Sequence, residues 1–271
     1  MDSEVEALEQ VLLWWPPDSL GRIDDPRAWM MRRRVDLLLM RRQCEGLVRA
    51  YEEAGVEVLL VEQPAPPNIV FCRDLFTVGP RGAWLANMAF APRRDEVALA
   101  APHLPGPTLP PPARSFEGAD LIWATPQDLL LGLGNRTHAT DFLGAPTLHP
   151  LQVPPGVQHL LGVVTFFDRG RAAVRTELLD PAPLRALGVE ILEIPESDEV
   201  RDGRGMNFVA LAPGRVLMPA DCPVVQGLLE AQGVSCEPLD VSEYLAADGG
   251  IGCATGILMR SSAQVAEAVT D

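Results

Sequence analysis

Four times along the chain, a short run of β-forming residues, a turn and a second apolar run follow one another. The first such unit pairs residues 76–78 with 83–88 across Gly79-Pro80-Arg81-Gly82. The second pairs 121–124 with 129–133 across Thr125-Pro126-Gln127-Asp128, and the third pairs 163–167 with 171–174 across Asp168-Arg169-Gly170. The fourth pairs 208–211 with 215–218 across Ala212-Pro213-Gly214. Apolar runs broken by Pro, Gly and Asp predict β-hairpins. Their turns recur about every 44 residues, which marks an internal repeat.

A second pattern recurs between the hairpins. A short helical stretch ends at a glycine, and a strand beginning with valine follows. Gly55 precedes Val56, Gly188 precedes Val189, and Gly233 precedes Val234. Glycine just past a helix end supplies the left-handed cap that stops the helix. The first helix is the clearest, with Met40, Cys44, Leu47, Val48 and Tyr51 on one face. The repeating unit is therefore hairpin, helix, strand. Four-stranded propeller blades have a similar period but contain no helices. Five units fit the length, with the fifth split between a strand at 11–15 and a C-terminal strand at 253–259. Pairing those two closes a ring and removes its open edges. The fold class is α/β, in a single domain spanning 1–271.

Composition narrows the function. The 271 residues are 47% hydrophobic, enough for one large domain or two small ones. Disorder is expected only at the ends and in the proline-rich stretch 104–113. No apolar run reaches the roughly 18 residues of a membrane span. The start Met-Asp-Ser-Glu lacks the basic opening of a secretory signal, so a cytoplasmic location is expected. The net charge of −15 argues against nucleic acid or an anionic membrane as partner. Every one of the 22 basic residues is arginine, which excludes Schiff-base, phosphate-loop lysine and pyridoxal chemistry. Cys44, Cys72, Cys222, Cys236 and Cys253 form no C-x-x-C pair. No zinc ribbon or redox dithiol is expected, and the thiols should be free.

The candidate chemistry lies just ahead of the hairpins. Asn68, Phe71, Arg73 and Asp74 precede the first, Glu117-Gly118-Ala119-Asp120 the second, and Gln158-His159 the third. Asp248-Gly249-Gly250-Ile251-Gly252-Cys253 precedes the split fifth strand. Equivalent positions in a ring face the same end. An acid, a histidine and a cysteine gathered there make a nucleophile, a base and an orienting group. A lone cysteine is ordinarily a small buried hydrophobe, and a lone histidine before an apolar run is ordinarily a core residue. The joint pattern is what points to chemistry. His103, His138 and His149 have no such context.

These motifs resemble the guanidino-group-modifying enzymes of the pentein superfamily: dimethylarginine dimethylaminohydrolases, arginine deiminases and amidinotransferases. The resemblance rests on F-x-R-D at 71–74, E-G-x-D at 117–120, G-L-x-x-R-T at 132–137, H-L at 159–160 and G-G-I-x-C at 249–253. It implies a five-bladed pseudosymmetric α/β propeller of ββαβ units, without cofactor or metal. It implies Cys253 as nucleophile, His159 as acid and base, and Glu117 as its holder or a contact to substrate nitrogens. Asp74 would pair with the guanidinium. Arg136 would grip a substrate carboxylate, with Arg94 as a second candidate, Asn68 nearby, and Leu20 at the tip of a lid at 16–25. The implied partner is a small guanidino substrate, and a homodimer stays open. The subfamily signals conflict. Leu161 stands where many members carry a second guanidinium-binding Asp; the dimethylarginine hydrolases also lack that Asp, which favours them. Arg73-Asp74 and Asn68 look instead like the deiminases. The expected reaction is hydrolysis of arginine or an N-methylated arginine through an S-alkylthiouronium. An amidinotransferase and a non-catalytic binding protein are the alternatives.

Overall fold

The computed structural model describes residues 2–262. The first residue and 263–271, the outermost parts of the expected 1–271 domain, lie outside the described residues.

Among the described residues, fifteen strands form five three-stranded sheets. In each, an antiparallel hairpin is followed by a third strand that pairs in parallel. The first blade holds β3 (Phe76–Gly79), β4 (Gly82–Leu85) and β5 (Thr108–Leu109). The second holds β6 (Leu121–Thr125), β7 (Asp128–Leu133) and β8 (Thr147–Gln152). The third holds β9 (Val164–Asp168), β10 (Arg171–Val174) and β11 (Glu190–Glu193). The fourth holds β12 (Val209–Ala212), β13 (Arg215–Pro219) and β14 (Ser235–Leu239). The fifth blade is assembled from both ends of the chain. Strand β1 (Leu8–Trp14) pairs antiparallel with β15 (Gly256–Arg260), Val11 opposite Ile257, and parallel with β2 (Glu57–Val61), Leu12 opposite Leu59. This is the predicted split blade. Its C-terminal strand starts later than expected, because Cys253 sits on a helical turn ahead of it.

Parallel pairing needs a crossover, and helices supply it in four blades. They are α1 (Leu37–Glu53), α2 (Arg94–Ala100), α3 (Ala182–Ala186) and, beyond the single turn α4 (Asp198–Arg201), α5 (Pro223–Glu230). Two more short helices, α6 (Ser242–Ala246) and α7 (Ile251–Ala254), lead into β15. The Asp36 carboxylate caps α1 by accepting from Leu39 N at 3.0 Å, and Gly55 follows the helix at φ 81°. Met40, Cys44, Leu47 and Tyr51 form the buried stripe of α1. The second blade departs from the ββαβ expectation. Its crossover at 134–146 has no helix, because the stretch is rich in Asn, Thr, Asp, Gly and Pro and carries no helical apolar period. Phe142 covers the sheet in place of a helix. It packs edge-on against Trp84 and Phe116, with centroids 6.4 and 4.8 Å away. The stretch 104–113, expected to be disordered, contributes β5. All five cysteines are free. No helix among the described residues is long and apolar enough to cross a membrane.

One short turn precedes the inner strand of every blade. These turns are Cys72–Asp74, Gly118–Asp120, Leu160–Gly162, the stretch 204–207 closed by Asn207 N donating to Arg204 O, and α7. They gather at one end of the ring. The other end is closed by the N-terminal segment. Glu4 pairs with Arg73 at 2.9 Å, and Glu6 pairs with Arg169 at 2.5 and 2.7 Å.

Candidate active site

Each blade contributes one polar side chain to the end of the ring where the turns meet. Asp74 ends the first turn, and Glu117 and His159 immediately precede the second and third. Asn207 ends the fourth, and Cys253 lies in the fifth. Asp74, Glu117, His159 and Cys253 line a small pocket of about 20 Å³. Trp29, Met30, Phe71, Arg136 and Asp248 complete much of its wall.

The turns are held to one another by buried polar groups. Gly118 packs so closely on the first turn that a Cβ there would lie 2.3 Å from Phe76 O and 2.5 Å from Arg73 O. Asp120 accepts from Leu160 N at 2.7 Å and from Thr137 Oγ1 at 2.6 Å, so it fixes the backbone next to His159. Burial pushes the Asp120 carboxyl up to about 6. Tyr51 Oη and Thr255 Oγ1, 2.6 Å apart, tie α1 to the residue after α7.

His159 and Glu117 form the tightest pair. Nε2 lies 2.7 Å from Glu117 Oε2, and Nδ1 lies 3.7 Å from Asp74 Oδ1. Burial alone would push the imidazole pKa down. Asp74, Asp120 and Glu117 outweigh it and raise it to about 9, so His159 is an imidazolium near neutral pH. Glu117 has no solvent exposure, and its other oxygen accepts from Ala89 N at 3.3 Å. Asp74 uses only one of its oxygens. Arg93 Nη1 donates to Oδ2 at 2.5 Å, while Oδ1 is buried with no hydrogen-bond partner. Burial works against the Asp74 carboxylate, but His159 and Arg93 hold its pKa below the usual range.

Cys253 is half-buried. Asn207 holds it twice, accepting from its backbone N at 3.0 Å and donating from Nδ2 to Sγ at 3.2 Å. Burial, then the Asp74 charge, raises the thiol pKa. A Gly250 backbone hydrogen bond, Arg204 and the Asn207 amide oppose the rise. At rest the sulfur is a thiol. The glycines allow this packing, because a Cβ at Gly249 would sit 2.1 Å from the Phe71 ring.

The structure brings Cys253, His159, Glu117, Asp74, Asn68 and Arg136 together at the pocket and leaves two named residues outside it. Leu20 is buried in the apolar core at 3% exposure, and no residue of 16–25 lines the pocket. That loop is pinned elsewhere, by Ser19 Oγ on Ala65 O at 2.7 Å and Arg41 on Asp18 at 2.6 Å. Trp29 and Met30 cover the pocket instead. Arg32 anchors their segment to Asp248 at 2.6 Å, and Arg33 anchors it to Glu243 at 2.9 Å. Arg94 is exposed and points at Met88 O, while its neighbour Arg93 turns inward to bridge Asp74 and Glu96. Leu161 lines a different cavity on the far side of the turns. Asn207 was not foreseen, although its place before the fourth hairpin repeats that of Asp74 before the first.

Asp74, Glu117 and His159 could present metal-ligating atoms within 4.8 Å of one another. Arg93 already binds Asp74, and Arg136 lies 3.8 Å from Glu117. With Arg93 and Arg136 in place and His159 an imidazolium with no lone pair to offer, this set does not suit a divalent ion.

No family model matches the chain. It is 27% identical to an uncharacterised protein of Aeropyrum pernix over 257 residues, 88% of this chain and 91% of that one. Solved structures are more informative. A dimethylarginine dimethylaminohydrolase from Pseudomonas aeruginosa, complexed with citrulline, superposes with a TM-score of 0.75 over 92% of this chain and 98% of that one, at 19% identity. The chain has the pentein fold. Two more solved structures are similar. The amidinotransferase SxtG from Microseira wollei matches with a TM-score of 0.72 at 17% identity, covering 97% of both chains. The N-terminal domain of ArgZ, covalently bound to a reaction intermediate, matches with a TM-score of 0.74 at 18% identity, covering 93% and 98%.

Proposed function

We propose that this protein is a cysteine-dependent hydrolase of guanidino compounds, with arginine or an N-methylated arginine as substrate. The observation that carries this reading is the convergence of a thiol, a carboxylate-held imidazolium and a half-paired carboxylate in one pocket. A guanidinium donating to the free Oδ1 of Asp74 would make a charge-assisted hydrogen bond. It would also offset the Asp74 charge, which adds to burial in raising the Cys253 thiol pKa. The thiol proton then leaves to solvent, and the thiolate attacks the central guanidinium carbon. As the C–N bond breaks, His159 gives its proton to the departing ammonia or amine. His159, now neutral, takes a proton from water. The resulting hydroxide adds to the S-alkylthiouronium, the C–S bond breaks as the added hydroxyl releases its proton to solvent, and a neutral citrulline-type urea leaves with the thiolate restored. Glu117 stabilises the imidazolium at both ends of this cycle. Arg136 serves as the anchor for the α-carboxylate.

Product analysis by mass spectrometry over a panel of guanidino compounds tests the reading. Citrulline with ammonia or a methylamine is the expected outcome. Transfer of the amidino group to added glycine, without citrulline, would replace hydrolase by amidinotransferase. No turnover and no covalent labelling of Cys253 by a thiol-reactive guanidine would leave only binding.

A further inference from the structure

Arg73, the third residue of the F-x-R-D motif, points away from the pocket. With Arg260 it faces a second, small cavity of about 20 Å³ on the ring's axis, room for about one water-sized ion. Leu161 and Gly252 form part of its wall, two residues from His159 and one from Cys253. Glu4 supplies its carboxylate, and most of the remaining wall is apolar.

The charges around this cavity do not balance. The Arg73 and Glu4 side chains are 5% and 9% exposed and pair at 2.9 Å. Arg260, 5% exposed, meets no carboxylate within salt-bridge distance among the described residues. It donates only to two carbonyls, Glu6 O at 2.7 Å and Ala210 O at 2.8 Å. The Glu6 carboxylate is already taken by Arg169. Two guanidinium groups thus share one carboxylate in a desolvated space. The Nε atoms of both Arg73 and Arg260 are buried with no hydrogen-bond partner. Burial pushes the Arg260 pKa down to about 10, against the pull of Glu4. An uncompensated buried charge is strongly destabilising.

We propose that this cavity binds a small monovalent inorganic anion such as chloride, held between the guanidinium groups of Arg73 and Arg260 that line it. The excess of one positive charge selects a monovalent ion, since a dianion would reverse the imbalance. The apolar remainder of the wall offers nothing to a larger oxyanion. This site is independent of the proposed reaction and would exist in a catalytically dead protein.

The test compares thermal unfolding of the full chain in sodium chloride and in sodium gluconate at equal ionic strength, together with diffraction from bromide-soaked crystals. A ligand bound only to the native state raises the melting temperature saturably, here by about 5 °C near a hundredfold excess over Kd. A bromide peak should appear between the two arginines. Arg260→Met should abolish the chloride increment. Glu4→Gln should do the opposite and lower the half-saturating chloride concentration about tenfold, because it adds to the positive excess. Equal melting in chloride and gluconate, a cavity without bromide, or an increment that survives Arg260→Met would overturn the proposal. If Arg260→Met does not fold, Glu4→Gln decides, and an unchanged chloride midpoint overturns it.

Discussion

Glu117→Gln isolates the electrostatic part of the His159–Glu117 pair. Glutamine can still accept from Nε2–H in the same place, so shape and hydrogen bond survive and the charge is lost. Glu117 is fully buried, so solvent does not screen it. A hydrogen bond to a charged group is worth about 1.5–3 kcal/mol and a neutral one about 0.5–1.5, a loss of about 1–2 kcal/mol. At 1.36 kcal/mol per pKa unit this lowers the imidazole pKa by about 1 unit or slightly more. From about 9, His159 should therefore fall to roughly 7.5–8. It should not reach the free value, because Asp74 and Asp120 stay. NMR titration of the His159 ring measures this directly, and the basic limb of the kcat–pH profile should move with it. Stability follows with a defined sign. The raised pKa stabilises the wild type fully below about pH 6.5, and that contribution is lost as pH rises through about 9. The variant loses its smaller share earlier, so the two melting temperatures should differ most in acid and converge above about pH 9. A shift of less than about 0.3 unit would refute the assignment of Glu117 as the electrostatic partner of His159.

Four other outcomes are expected. Cys253→Ser should abolish turnover and leave the melting temperature nearly unchanged, because a hydroxyl is a far weaker nucleophile near neutral pH; activity within about tenfold of wild type would end the thiolate mechanism. Asn207→Ala should slow iodoacetamide alkylation of Cys253 and lower kcat about tenfold or more, since it removes both hydrogen bonds on that residue; unaltered alkylation would make Asn207 incidental. Gly249→Ala should destabilise the protein by about 1–3 kcal/mol in denaturant titrations, because its methyl group would overlap the Phe71 ring. Arg136→Ala should raise KM for arginine about tenfold and spare agmatine, which lacks the carboxylate; equal losses would assign Arg136 to structure.

The repeat was legible because its punctuation is chemical. Pro80, Pro126, Gly170 and Gly214 sit in turns that hairpins require, and the structure has hairpins at all four. The split fifth blade followed from arithmetic on that period. Leu20 and Arg94 were misplaced because a single sequence carries no depth. Leu20 is apolar, and the core claimed it. Whether Arg93 or Arg94 faces inward depends on helical phase at the start of α2, which so short a helix of seven residues does not reveal. The helix missing from the second blade was signalled by the turn-forming residues of 134–146, but the repeat was weighted above them. Asn207 escaped because an amide beside Arg204-Gly205 looks like an ordinary loop. The period alone would have marked its position.

The split blade also sets a timetable. Strand β1 is synthesised about 240 residues ahead of its antiparallel partner β15. At about 5–20 residues per second, β1 waits tens of seconds for that partner on the ribosome. Strand β2 can cover one side of β1 early, with α1 packed over both. The other side stays an open edge, a template for mispairing with other chains. The same late strand follows directly on the turn that carries Cys253. The nucleophile therefore acquires its partners only when the ring shuts, and a nascent or truncated chain carries no assembled site. Chaperone demand during synthesis and the onset of thiol reactivity should share one trigger, the docking of β15.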